Sequence, residues 1–270
     1  MSELTAAIPG RKSVRSFDGR PLRPEDREKL ERFMASLSNP FGVPVKCVLL
    51  DAEKEGLSSP VITGEKLYVA GMAEIGPHAD EAFGFSFELL VLYAASLGIG
   101  TTWIAGTMKR EKFQKAAGLE AGWRMPCVSP LGYPAAKRSL KETMMRKGVG
   151  ADSRLPSEKL FFDGSFHKPL AGERLAALAG PLELTRWAPS AVNKQPWRLV
   201  AGEKEVHFYE KKDKGYVGEA AGDLQKIDVG IALCHFFLGL EDLGKTPSVA
   251  IADPGLELPP ETEYVATVRF

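Results

Sequence analysis

The feature that most constrains this chain is that it contains itself twice. "FDG" occurs at Phe17–Gly19 and again at Phe162–Gly164, 145 positions on. A long apolar run, "FSFELLVLYAASLG", ends at Gly98, and a second, "IDVGIALCHFFLGLEDLG", ends at Gly244, 146 positions on. Three residues alone would mean little, but two landmarks at nearly one offset indicate two similar halves. After each "FDG" the spacing predicts a helix with an apolar stripe: Leu30, Phe33, Met34 and Leu37 in one, Leu175, Leu178 and Leu182 in the other. Each long helix is followed by a run of β type, "TTWIAG" from Thr101 and "PSVAIAD" from Pro247. Few strands, separated by helices, point to an α+β fold rather than a regular parallel sheet. The long helices are too apolar to stay exposed, so packing them on each other as a shared core makes the chain an internal pseudo-dimer. The join falls in the polar stretch "RKGVGADSRLPSEKLF", giving halves 1–150 and 151–270.

Charge excludes little but points one way. Thirty-five basic residues balance thirty-five acidic ones, so no general field draws the chain to nucleic acid or to a membrane surface. Phe83–Gly106 approaches the length of a bilayer span, but Glu88 lies inside it and "SLGIG" reads as a helix stop and turn, so a buried soluble helix plus strand is expected. Cys47, Cys127 and Cys234 lie far apart with no metal-ligand spacing. Cys47 and Cys234 sit in apolar runs as expected buried thiols, which suits a reducing cytoplasm. The N-terminus has no apolar run long enough for a signal peptide. The four histidines form no metal pattern; His78, before the first long helix, either borders a substrate opening or is a solvated loop residue.

Chemistry-bearing motifs differ between the halves. In "RKSVRSF", alternation puts Arg11, Ser13 and Arg15 on one side of an extended segment. Two guanidinium forks flanking a hydroxyl suit a phosphate, or else the stretch is a solvated basic terminus. Nothing comparable precedes the second "FDG". In "VSPLGYPAAKRSLKE", Gly132 would let a backbone N–H approach a planar ligand beside Leu131, and Lys137 and Arg138 would add positive charge; the alternative is a proline-rich turn before an exposed helix. "WAPSAVNKQPW" holds Ser190, Asn193 and Gln195 between Pro189 and Pro196. Its donors and acceptors suit the edge of a heteroaromatic ring, or else Asn193 and Gln195 satisfy buried backbone. The first half has only "LSNPFGVPVKCVL" at the corresponding place.

Together, "RKSVRSF", "APSAVNKQPW", the paired "LG"-ended apolar helices and "PLGYP…KR" resemble the flavin-dependent nitroreductase family over nearly the whole chain. Members of that family carry both motifs in one short chain and form obligate dimers with each FMN between subunits. Here the two motif sets are divided between two halves of one chain. The resemblance therefore implies one complete FMN site per chain, with no reciprocal site, and a monomer as the expected state. Carried over, Arg11 and Ser13 would hold the FMN phosphate, with Lys12 contributing backbone and Lys137 and Arg138 completing the cage. Arg15 would reach the pyrimidine side of the flavin. Pro189, Ser190, Ala191 and Asn193 would line the ribityl chain and ring, and Leu131 and Gly132 would lie by the ring, the Gly132 N–H near N5. It also implies NADH or NADPH as a transient electron donor and an electron-poor small molecule, a nitroaromatic or quinone, as acceptor. The flavin would carry the redox chemistry, so no side chain is assigned as acid or base and no metal is expected. Two other classes stay open: a flavin-binding protein without turnover, and a degenerate module that has lost flavin.

Overall fold

A computed structural model describes all 270 residues. Two helices organise it: α3 (Ala79–Ser96) and α7 (Leu224–Asp242). Asp223 caps α7 by accepting from the Gln225 and Lys226 N–H groups, and both helices stop at glycines with left-handed φ, Gly98 (+73°) and Gly244 (+72°). Being apolar on nearly every face, each must be covered on nearly every face. They cover each other at a crossing made possible by two glycines. A Cβ on Gly84 of α3 would lie 2.1 Å from the Ile227 carbonyl oxygen, and a Cβ on Gly230 of α7 would lie 2.1 Å from that of Glu81. The Phe85 and Phe237 rings meet edge to face at 5.3 Å along the same contact.

A sheet lies on either side of this pair. The first has β2 (Leu67–Glu74) at its centre, flanked by β1 (Val45–Asp51) on one edge and by β3 (Trp123–Arg124) and β4 (Val128–Leu131) on the other, all antiparallel. The second runs β11 (Ser248–Ala250), β12 (Thr262–Arg269), β8 (Glu205–Lys211), β7 (Trp197–Ala201), β5 (Phe161–Asp163), β6 (Ser165–Pro169), with only β5 and β7 parallel, and β9 (Val217–Gly218) and β10 (Gly222–Asp223) pair apart from both sheets. The fold is mixed α+β. Strands are more numerous and more contiguous than the sequence suggested, because β8 and β12 are buried on both faces and show no alternation. "TTWIAG" forms no strand; Thr101 and Ile104 make isolated bridges to Ser13 and Val128. "PSVAIAD" does supply β11.

Shorter helices complete the layers: α1 (Glu3–Ala7), α2 (Pro24–Ala35), α4 (Arg110–Ala116), α5 (Leu140–Gly148) and α6 (Gly172–Arg186). Pro24 opens α2, where its missing N–H costs nothing, and Leu30 is its fully buried anchor; Leu37 lies past its end. The α6 helix continues through Pro181, and Gly239 of α7 lets that proline approach closely. Both glycines of the repeated "FDG" take left-handed φ, Gly19 at +79° and Gly164 at +66°. Cys127 and Cys234 are buried and Cys47 half-buried, all three unpaired. No helix is long and apolar enough to cross a membrane.

Candidate cofactor site

Residues 13–17 run extended between three neighbours. Val14 donates to the Thr101 carbonyl, Phe17 to that of Thr63, and Phe17 bridges Pro134. The Val14 side chain packs against Gly100, while Ser13 and Arg15 face the other way. There they meet the loop 189–195, which arrives from the far end of the sequence. Ser13, Arg15, Pro189, Ser190 and Val192 are shared by two cavities of about 190 and 350 Å³, which form one groove.

One end of the groove is cationic. Arg11, Arg15, Arg146 and Arg154 line it, with Asp152 paired to Arg146 at 2.5 Å. Arg154 lies over the Trp187 ring at 5.1 Å. The Arg11 side chain is 7% exposed, its ion-pair partner Glu88 is 4.0 Å away, and its Nε and Nη1 have no hydrogen-bond partner. Burial lowers the Arg11 pKa, Glu88 opposes that shift, and Arg146 adds to it by repulsion. Burial likewise lowers those of Arg15 and Arg154. Buried guanidinium groups that repel one another and have donors to spare are suited to a multiply charged oxyanion.

The other end is apolar. Trp103, Ile104, Tyr216, Leu224, Ile227 and Ile231 line it, with one buried carboxyl, Asp228, among them. Both Asp228 oxygens lie 3.0–3.1 Å from the Ala191 N–H, which ties the loop to α7. Further bonds hold the loop. The Ser190 hydroxyl accepts from Gln195 N–H, the Gln195 Oε1 accepts from Leu155 N–H, and the Asn193 amide donates to the Gly150 and Ser153 carbonyls. The Asn193 and Gln195 amides thus secure the 150–155 segment, the backbone role that was the alternative reading of the sequence.

These restraints hold a strained backbone. Val192, Asn193 and Gln195 have φ of +43°, +58° and +51°, and a β-branched residue in that region is a genuine outlier. Val192 is 57% exposed and overhangs both cavities, so its conformation is not repaid by burial. Val192→Gly is expected to raise the unfolding free energy by about 1 kcal/mol, relief of strain exceeding the added chain entropy. Urea denaturation checks this; a lowered midpoint would mean that the valine is unstrained.

Eight of the residues singled out in the sequence meet here: Arg11, Lys12, Ser13, Arg15, Pro189, Ser190, Ala191 and Asn193. Arg138 lines an adjoining cavity of about 530 Å³ on the other side of residues 11–14 and pairs with Glu142 at 3.8 Å. Lys137 is exposed and lines none of the three cavities. Leu131 and Gly132 do not reach the groove either. Leu131 is buried in the sheet opposite Leu67, the Gly132 carbonyl accepts from Gly100, and the Phe17 ring lies 2.9 Å from where a Gly132 Cβ would be. Neither does His78, which stacks on Phe41 at 5.5 Å beside Glu81. Arg146, Arg154 and Asp228 were not singled out. No group of three or more His, Cys, Asp or Glu residues is placed to hold a metal.

An α+β fold with a cationic groove that ends in an apolar slot frames the comparison with known proteins. The family model described as "Putative TM nitroreductase" matches residues 3–240, and the chain belongs to that family. It is similar over 98% of its length to 93% of a crystal structure described as a putative nitroreductase from Thermotoga maritima, with 21% identity and a TM-score of 0.63. About half of it, 50%, aligns with 87% of a nitroreductase family protein from Clostridium novyi NT at 18% identity and a TM-score of 0.43. Similarly, 51% aligns with 92% of a nitroreductase with bound FMN from Desulfitobacterium hafniense DCB-2, at 17% identity and a TM-score of 0.42. No curated protein matches the chain.

Proposed function

We propose that this protein is an FMN-dependent oxidoreductase with one flavin site per chain, built as an internal pseudo-dimer. The observation that carries the reading is the groove. Its cationic wall comes from residues 11–15 and 146–154, its strained loop from residues 189–195, and its apolar end from α7 and the segment 102–107. Arg11, Arg146 and Arg154 would hold the phosphate; they repel one another, and Arg11 Nε and Nη1 and Arg154 Nε have no hydrogen-bond partner, which fits that charge. The slot beside Trp103 and Ile227 would take the ring. A bound flavin would supply two-electron chemistry, hydride transfer between NADH or NADPH and a nitroaromatic, a quinone or a similarly electron-poor acceptor. The chain's own residues fix the loop over the slot, keep its walls apolar and neutralise the phosphate. Since both sides of the groove belong to one chain, a monomer suffices.

Gentle purification followed by flavin identification tests this. The expected result is one FMN per chain, bleached anaerobically by a reduced nicotinamide and restored by a nitroaromatic or quinone. Colourless protein that FMN cannot reconstitute, or two flavins per chain, would overturn the single-site reading.

A further inference from the structure

Asp228 anchors the 189–195 loop through the Ala191 N–H, yet a loop anchor need not be a carboxyl. It projects from the second turn of α7 into the apolar slot and is 4% exposed. It makes no salt bridge, and its single donor is the Ala191 N–H, which both oxygens face. The charged and titratable groups around it do not favour ionisation. Asp223 at the α7 cap and Glu210 on β8 are both acidic, and Cys127 across the slot has its thiol kept neutral by its own burial. Tyr216 and Arg15 line the same cavity, Arg15 where the slot opens into the cationic end. Burial, reinforced by Asp223 and Glu210 and opposed by the Ala191 bond, raises the Asp228 pKa well above the usual carboxylate range. A neutral carboxyl here accepts from Ala191 on one oxygen and has an O–H left to donate into the slot.

We propose that Asp228 is the proton donor to the electron acceptor that is reduced against the flavin ring in this slot. The proposal rests on the flavin oxidoreductase reading. With a quinone as that acceptor, a hydride (two electrons and one proton) taken from reduced flavin makes it a quinol monoanion. The Asp228 O–H bond breaks, a new O–H bond forms on the quinone oxygen, and the carboxylate left behind regains a proton from water. An uncharged, apolar slot with one acid also fits a neutral acceptor better than an anionic one. The sign with pH follows from the raised pKa. Below it Asp228 holds its proton, and as pH rises through it the donor is lost and the rate falls.

Two measurements test this. The infrared spectrum of the flavin-free protein, with aspartate carboxyls carrying carbon-13, should show an un-ionised carboxyl at neutral pH that Asp228→Asn removes. Only ionised aspartates in the wild type would overturn the proposal without use of any variant. In flavin-loaded protein, reoxidation of the reduced form by a benzoquinone should slow about 100-fold in Asp228→Asn, with FMN affinity within a few fold of the wild type. The decline with rising pH seen in the wild type should be absent from the variant. Equal rates with equal pH profiles would refute a proton donor and leave Asp228 a loop anchor. If the protein takes up no flavin, it is the oxidoreductase reading that fails, and the infrared result still stands on its own.

Discussion

Glu88→Ala is expected to destabilise the protein by about 3–5 kcal/mol, the range for breaking a buried ionic cluster from one side. Glu88 is fully buried in α3, and three elements converge on it. The Trp103 indole N–H donates to its Oε2 at 3.1 Å, His235 Nε2 on α7 lies 3.0 Å from its Oε1, and Arg11 Nε lies 4.0 Å from the same oxygen. The other His235 nitrogen faces the Leu184 carbonyl at 2.8 Å, so it must be a donor there. Without the carboxylate, an indole N–H and a guanidinium stay buried with nothing to accept from them, and His235 Nε2 loses its buried partner. Glu88→Gln keeps an acceptor for Trp103 and should recover part of the loss. Equilibrium urea unfolding of both variants measures this; a loss below about 1 kcal/mol for Glu88→Ala would mean that the cluster is solvated or rearranges freely.

Gly230→Ala is expected to cost about 3 kcal/mol or more, at or above the upper end of the usual overpacking range. The new Cβ would lie 2.1 Å from the Glu81 carbonyl oxygen, a backbone atom in the first turn of α3 that cannot rotate aside. The two helices would have to separate, opening contacts such as Phe85 on Phe237. Gly84→Ala should behave alike, since its Cβ meets the Ile227 oxygen at the same distance. Gly180→Ala in α6 is the control: nothing lies within 4 Å of its Cβ, so it should stabilise by about 0.5–1 kcal/mol through helix propensity. Thermal or urea unfolding of the three separates the crossing from propensity; comparable effects in all would show that the helices yield easily.

The sequence disclosed what is local and withheld what depends on closure. The long helices announce themselves because a helix buried on all sides must be apolar throughout, and their stops because left-handed residues are glycines. Gly84 and Gly230 share the 146-residue offset of the helix ends, yet only the crossing explains why both lack a side chain. The second sheet was less legible: β8 carries His207 and Glu210 among its buried positions, which breaks any apolar pattern. Arg11, Ser13 and Arg15 could be read by alternation, and the Pro189–Pro196 loop by its proline bracket. Arg146 and Arg154 could not, because arginines in a polar helix end and linker look solvated until the fold brings them to Arg11. Leu131 and Gly132 went the other way: their motif suggested a ligand, and a neighbouring ring and strand took the space.

A groove whose two walls belong to one polypeptide has a consequence for how it responds to dilution. Where two separate chains share a binding site, the site disappears as they dissociate, and apparent affinity depends on protein concentration. Here the 150–155 segment of the cationic wall is itself bonded to the loop through Asn193 and Gln195, so the effective concentration of one wall at the other is set by the chain. For the proposed single-chain site, ligand affinity is therefore expected to be the same at nanomolar and at millimolar protein.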